Sequence, residues 1–319
     1  MRFKAISRRI AVFGIVPAAI LAIVSCSTKP QLELRLQLSK GDTYNLRVTS
    51  DQTISQTFQG QTQSLSQSVA VGYSFNVVDV ADDGTATVRV NYHSIDYKQT
   101  TPSGTVEYNS ADTAAPTQET LGLAALVGQS FTVLLSPSDE IVAVEGIDAM
   151  IDRMLERFRI PDDSTRQILR QGFEGQFGLQ TIKETLASIV GIYPEKWVNV
   201  GDTWKKTETI FTGFPMVLSD SYTLKGSDNG IATVTLNSTV SANSAAAPFR
   251  MGAAVLGLDL TGNQSGTIRL NESNGWIVSA DIQQTVSGTM KVPPSAQAPN
   301  GVAWPLTVDT HLTMEQFQD

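Results

Sequence analysis

The feature that most restricts how this chain can fold is a series of strand and turn signals that occurs twice in the same order. The first series opens at Gly41-Asp42-Thr43-Tyr44 and the second at Gly201-Asp202-Thr203-Trp204. Strand signals follow at Tyr73–Val77 and Tyr222–Leu224, and glycine turns then lead into Gly84–Val90 and Gly230–Leu236. Both series pass an Ala-Ala-Pro, ending at Pro116 and Pro248, and then an apolar stretch containing glycine, Leu121 to Gly128 and Met251 to Leu260. Each closes with a hairpin pattern, Phe131–Leu135 into Ile141–Val144 and Thr267–Leu270 into Trp276–Ile282. A single Gly-Asp turn is common between strands and decides nothing, but a whole series in register points to duplication.

Between the copies the apolar period changes. Ile147, Met150, Ile151, Met154, Leu155 and Phe158 recur at helical spacing until Pro161 stops the run. A second helical stretch passes Ile168 and Leu169, is loosened at Gly172, Gly175 and Gly178, and resumes at Thr181-Ile182-Lys183-Glu184, a capping-box pattern. Ahead of the first copy, Leu32, Leu34, Leu36 and Leu38 alternate with Glu33, Arg35 and Gln37, the spacing of a half-buried strand. The expectation is a mainly β (α+β) fold: two repeated antiparallel curved sheets forming a sandwich or half-barrel, with a central helical insertion. The divisions are a first β repeat at 31–145, the insertion at 146–195 and a second β repeat at 196–319.

The N-terminus carries a different signal. Arg2, Lys4, Arg8 and Arg9 precede an apolar stretch from Ile10 to Val24, the layout of an export signal. That stretch is interrupted by Pro17 and falls short of the roughly 20 apolar residues a spanning helix needs. It ends Ile23-Val24-Ser25-Cys26, which resembles the lipobox of bacterial lipoproteins. The resemblance implies a signal peptide at 1–25, lipidation of Cys26 and a short tether at 26–30. Two or three acyl chains anchor stably where one does not. Cys26 is the single cysteine of the chain, so no disulfide within the chain competes for it. Ser27 follows, in place of the aspartate that retains enteric lipoproteins at the inner membrane, which favours the periplasmic face of an outer membrane.

Removing residues 1–25 takes away four basic and no acidic residues, moving the formal charge from −8 to about −12. A chain so acidic is repelled by nucleic acid, and no nucleic-acid partner is expected. With 41% hydrophobic and 17% charged residues it can bury a substantial core. The reactive inventory is thin: the two histidines, His93 and His311, sit in separate strand patterns, and no serine-hydrolase elbow, phosphate loop or dinucleotide fingerprint is present. The acidic pairs Asp82-Asp83 and Asp162-Asp163 read as a turn and a helix start. Neither a metal, a cofactor nor a catalytic residue is expected. Trp197, Trp204 and Trp276 read as core residues, and Trp304, after the loop from Val292 to Gly301, as a rim residue.

A lipobox, then a strand, a Gly-Asp-Thr-aromatic turn, a central helical insert and the segment Trp197-Val198-Asn199-Val200-Gly201-Asp202-Thr203-Trp204 together resemble a family of bacterial lipoproteins, the domain-of-unknown-function family numbered 6263. The resemblance covers most of the mature chain, implies its location and architecture, and supplies no catalytic residue. The resulting expectation is a non-enzymatic envelope protein, held to a membrane through the lipid on Cys26, that binds a hydrophobic or amphiphilic ligand or an envelope protein partner. The alternatives are an envelope glycan hydrolase, which would need two acids in one cleft, and a structural subunit of an envelope complex. The apolar stretches carry glycine and alanine where a core strand would carry β-branched residues, so they suit a short helix or a groove wall. Leu121, Leu123, Leu126, Phe249, Met251 and Leu256 are therefore the candidate ligand contacts, expected to line one cavity between the repeats.

Overall fold

The computed structural model describes residues 31–318, except 59, 212–213, 244, 246–248, 252–253 and 295–299, and gives the backbone alone for Arg250, Met251 and Ala254. The signal and the tether with Cys26 lie outside the described residues. The first half contains β1 (Thr43–Phe58), β2 (Gln61–Val80), β3 (Ala86–Thr101), β4 (Gly104–Asn109), α1 (Leu121–Leu126), β5 (Ser130–Leu135) and β6 (Ile141–Glu145). Three helices follow, α2 (Ile147–Leu155), α3 (Asp163–Phe177) and α4 (Leu179–Val190). The second half contains β7 (Thr203–Ile210), β8 (Met216–Asp228), β9 (Ile231–Ala242), β10 (Phe249–Met251), β11 (Ala254–Asn271), β12 (Ile277–Val292) and β13 (Val302–Gln316).

The two opening turns share one pattern of hydrogen bonding. In the first opening turn Gly41 N–H donates to the Val77 carbonyl and Val77 N–H to the Asp42 carbonyl; in the second, Gly201 pairs with Leu224 and Leu224 with Asp202 in the same way. The aspartate of each turn accepts from a backbone N–H three residues upstream, Ser39 at 3.0 Å and Asn199 at 2.8 Å. The aromatic that follows faces another ring across the strands, Tyr44 opposite Phe75 and Trp204 opposite Tyr222. Strands then pair in one order in both halves, β1-β2-β3-β5-β6 and β7-β8-β9-β11-β12.

What the sequence pattern did not place is β13. It pairs antiparallel with β12 on one side and with β1 on the other, so the ladder runs unbroken from one half into the next. The result is a single antiparallel sheet in the order β6-β5-β3-β2-β1-β13-β12-β11-β9-β8-β7, not the two sheets expected. Two sheets need a free edge where the halves meet, and β13 occupies that edge with backbone donors and acceptors. The outermost strands of this path are β6 and β7, and α4 packs against both, so the sheet curls until its edges approach the same helix.

The inner face is filled at one end. The amphipathic α2 buries Ile147, Met150, Ile151, Met154 and Leu155 there, and α4 buries Ile182, Leu186, Ile189 and Val190. Met150, Ile151, Met154 and Leu155 have no exposed surface, and Leu46 and Leu224 of the sheet have none either. Asp162 caps α3 by accepting from Thr165 N–H at 2.8 Å. The helix then runs through Gly172 and Gly175, and the chain breaks only at Gly178. Gly178, not Thr181, is the N-cap of α4, so the Thr181-to-Glu184 pattern lies inside the helix; Glu184 instead accepts from the Phe211 backbone N–H at 2.9 Å.

Residues 32–38 alternate as expected, with Leu34 and Leu36 buried, but they are no regular strand. Leu32 forms an isolated bridge to Val198, Leu36 N–H donates to Asp139, and Gln37 N–H donates to the Asn274 carbonyl. The segment thus crosses the end of the curled sheet and stops it like a cork. Trp276 closes the same end, buried and stacked on Tyr44 at 4.6 Å between ring centres. Gly275 lies at φ +74° against the Arg35 backbone, where a Cβ would run into the carbonyl.

Candidate functional site

Beyond the filled end, the apolar pattern of the inner face breaks at one level in nearly every strand. Asp220 of β8 lies opposite Ser238 of β9, which lies opposite Gln264 of β11, itself opposite Gln284 of β12. The line continues through Thr310 of β13, Gln52 of β1, Gln67 of β2 and Gln99 of β3. Lys206 of β7 lies opposite Asp220 at the end of this belt, and Glu208, opposite Leu218, is close enough for the Asp220 charge to act on it. Gln284 donates to Gln264 at 2.9 Å. Most of these side chains are half-buried, while Asp220 and Ser238 are buried. Burial pushes the Glu208 carboxyl up to about 7, with the Asp220 and Glu184 charges adding to the shift. Burial raises Asp220 as well, partly offset by Ser238 and Tyr222.

The belt divides two apolar clusters. On the filled side lies the main core; on the other lies a smaller one with Leu218, Val240, Leu256, Leu260, Val286, Met290, Trp304, Leu306 and Val308. This second cluster opens into a cleft of about 330 Å³. Its walls come from both halves: Ile54 and Leu65 from the first, and Phe214, Phe249, Met290 and Leu306 from the second, with Gln56, Gln63, Ser64 and Thr101 among the polar lining. Phe214 and Phe249 pack with ring centres 5.3 Å apart. Phe58 and Phe211, at the ends of β1 and β7, stay 42% and 52% exposed.

The candidate contacts read from sequence divide between the two ends. Leu121, Leu123 and Leu126 are in α1, where Leu126 is buried in the main core, Leu123 packs against it and Leu121 is half-buried. Phe249 lines the cleft, Leu256 is buried in the distal cluster as its strand partner, and Met251 pairs with Ala254 through the backbone. The two stretches thus do not meet in one cavity. The first, Leu-Gly-Leu-Ala-Ala-Leu, has no β-branched residue and coils; in the second Leu256, Leu258 and Leu260 alternate and extend. Two tryptophans also change roles. Trp197, expected in the core, is 56% exposed, and Trp304, expected at a rim, is buried and meets Phe58 edge-on at 5.8 Å.

The belt was missed, although its signal is present: a polar residue stands at the inward position between apolar neighbours, as in Leu218-x-Asp220-x-Tyr222, Leu236-x-Ser238-x-Val240 and Ile282-x-Gln284-x-Val286. One such residue means little; only the register aligns them. Glu208 and Asp220 are the interacting acids that a glycan hydrolase would call for. Burial raises both carboxyls, and Asp220 is 4% exposed.

A larger crevice, about 780 Å³, lies at the filled end along the seam between β6 and β7, beside α4 and residues 33–35 and 193–197. Among the described residues no group of three or more His, Cys, Asp or Glu side chains is arranged to hold a metal, and no helix is long and apolar enough to cross a membrane.

The model of a family of unknown function, DUF6263, matches residues 83–277. No curated protein matches the chain. Among solved structures, one describing lipid–protein interactions in lipovitellin is similar at 11% identity and a TM-score of 0.45, covering 88% of this chain and 26% of that one. The chain therefore spans about a quarter of the length of that relative. The translocator domain of the autotransporter NalP from Neisseria meningitidis covers 88% of this chain and 90% of its own at 5% identity and a TM-score of 0.19. Pseudomonas aeruginosa OpdQ covers 86% and 98% at 9% identity and a TM-score of 0.20.

Proposed function

We propose that this chain, which belongs to the DUF6263 family of unknown function, is an envelope lipoprotein tethered through Cys26 that holds an amphiphilic molecule on the inner face of its curled sheet. The observation that carries the reading is the order of surfaces along that face: a polar belt, then an apolar cleft with an exposed aromatic rim. An amphiphile needs both in that sequence. Its apolar part would lie between Ile54, Leu65, Phe214 and Phe249, and its polar part would reach the glutamines of the belt. A volume of about 330 Å³ suits one short chain or a compact ring system, at the lower end of small-molecule sites. Glutamine suits the polar end because its amide both donates and accepts without the desolvation cost of a charge.

β10 is a three-residue strand that sets Phe249 over the cleft by pairing with β11, and Phe214 meets it from the β7–β8 connection. Both are placed by short segments at the open end and pack against the distal cluster.

Purification of the full-length protein without denaturation, followed by organic extraction and mass spectrometry, tests the reading. A stoichiometric amphiphile, and uptake of a fluorescent fatty-acid probe that Phe249→Ala weakens about 5-fold, or roughly 1 kcal/mol, are the expected results. A clean extract together with no probe uptake would refute the site. The tether is tested separately by intact mass: the mature chain should begin at Cys26 with acyl groups attached, and Cys26→Ala should leave it unacylated.

A further inference from the structure

Leu32 and Val198 exchange both backbone hydrogen bonds, at 2.8 and 2.9 Å, so the exposed Trp197 stands beside the backbone of Leu32. At 56% exposed it is the indole most open to solvent, while Trp276 and Trp304 are buried and Trp204 is half-buried against Tyr222. Trp197 also lines the seam crevice of about 780 Å³. One wall of that crevice is apolar, with Leu34, Ile141, Ala187 and Val190. The rest carries both signs of charge: Arg35, Lys183, Lys196 and Lys206 against Glu33, Asp139, Glu140 and Glu195. Arg35 is engaged with Glu33 at 3.2 Å, and Asp139 accepts from the Leu36 N–H. Lys183, Lys196 and Lys206 close no ion pair within 4.0 Å among the described residues.

We propose that this crevice seats the headgroup of a zwitterionic glycerophospholipid from the membrane that holds the chain, with Trp197 resting at the interface. The inference rests on the reading of Cys26 as the lipidated residue. Leu32 is six residues after Cys26, which reach about 21 Å when extended, so the Leu32–Val198 bridge and its neighbour Trp197 would lie within that reach of the lipid on Cys26. Indoles favour the membrane interface, where the ring meets hydrocarbon and the N–H meets water. The lysines suit a phosphate, and the acids suit the ammonium group beside it. A headgroup with both charges matches a crevice with both, whereas the acidic chain as a whole disfavours attraction to a purely anionic surface.

The experiment uses the mature lipidated protein in vesicles of phosphatidylcholine and phosphatidylethanolamine, part of the phosphatidylcholine brominated near the top of its acyl chains. Tryptophan emission should be quenched, Trp197→Phe should remove at least half of that quenching, and Lys183→Glu with Lys196→Glu should reduce it at least 2-fold with unchanged circular dichroism. Quenching that is absent, or unchanged in Trp197→Phe, would overturn the inference while acylation of Cys26 by intact mass keeps the tether intact. A mature chain without acyl groups would remove the tether and this inference with it. Reversal of the quenching by millimolar inorganic phosphate would reassign the crevice to free phosphate and overturn the lipid assignment.

Discussion

The two ends of the curled sheet are built from the same kinds of strand, yet one is sealed and the other is open. At the sealed end the inner face meets α2, α4 and residues 32–38, and Leu46, Leu224 and Met154 lose all contact with solvent. At the open end no helix side chain joins the apolar cluster among the described residues, Phe58 and Phe211 remain exposed, and a cleft penetrates between the halves. The difference shows that strand alternation sets which side chains turn inward, while a second layer decides whether the inward side becomes core.

The largest expected effect sharpens this contrast. Leu224→Ala should cost about 2–5 kcal/mol in urea unfolding, because rigid helices prevent the cavity from collapsing. Leu256→Ala in the distal cluster, 3% exposed, should fall at the lower end of that range, since Phe249 can close over the gap. Equal losses at the two sites would mean that the distal end is as rigid as the sealed one.

The repeats can be compared in the same way. Gly41 and Gly201 lie at φ +93° and +101°, and a Cβ at either meets nothing within 4 Å. Alanine at each should therefore cost only the backbone strain, roughly 1–2 kcal/mol, and the same amount in both. Clearly unequal melting shifts would break the equivalence of the two turns.

A smaller effect belongs to the belt. Glu208 has its folded pKa raised from 4.5 to about 7, so the folded protein holds the proton more tightly than the unfolded chain between those values. Stability should consequently fall as pH rises from about 4.5 to 7, and stay low above. Glu208→Gln should flatten this slope in thermal melts across that window. An unchanged slope would place the titration elsewhere. The smallest effect is at the rim: Phe211→Ser, with the side chain half in water, should change stability by no more than about 0.5 kcal/mol. A larger loss would show that the rim is covered in solution.

Much of the fold was legible because it depends on near neighbours. The Gly-Asp-Thr-aromatic turns, the Asp162 cap and the amphipathic stripe of α2 are each settled within a few residues, where backbone sterics and side-chain period act directly. The alternation of Leu32 to Leu38 correctly gave the buried face and wrongly suggested a strand, since a ladder needs a partner that the sequence does not name. The candidate site was read only in part for the same reason. Phe249 lies in the cleft, but Leu126 is core at the other end, because the two apolar stretches occupy equivalent places in sequence and different ones in space.

The sequence by itself determined the duplicated strand order, the helical insertion, the family to which the chain belongs and, through the residues around Cys26, the expectation of a lipid anchor. The tertiary structure alone decided that the halves make one sheet, that Trp197 is exposed and Trp304 buried, and that eight strands align polar side chains into a belt. The reason is the range of the interactions. Turns and periodicity are fixed by bonds and contacts a few residues apart, whereas β13 joins β1 through hydrogen bonds between residues more than 240 positions apart, and such register is chosen only when the whole sheet buries its inner face at once.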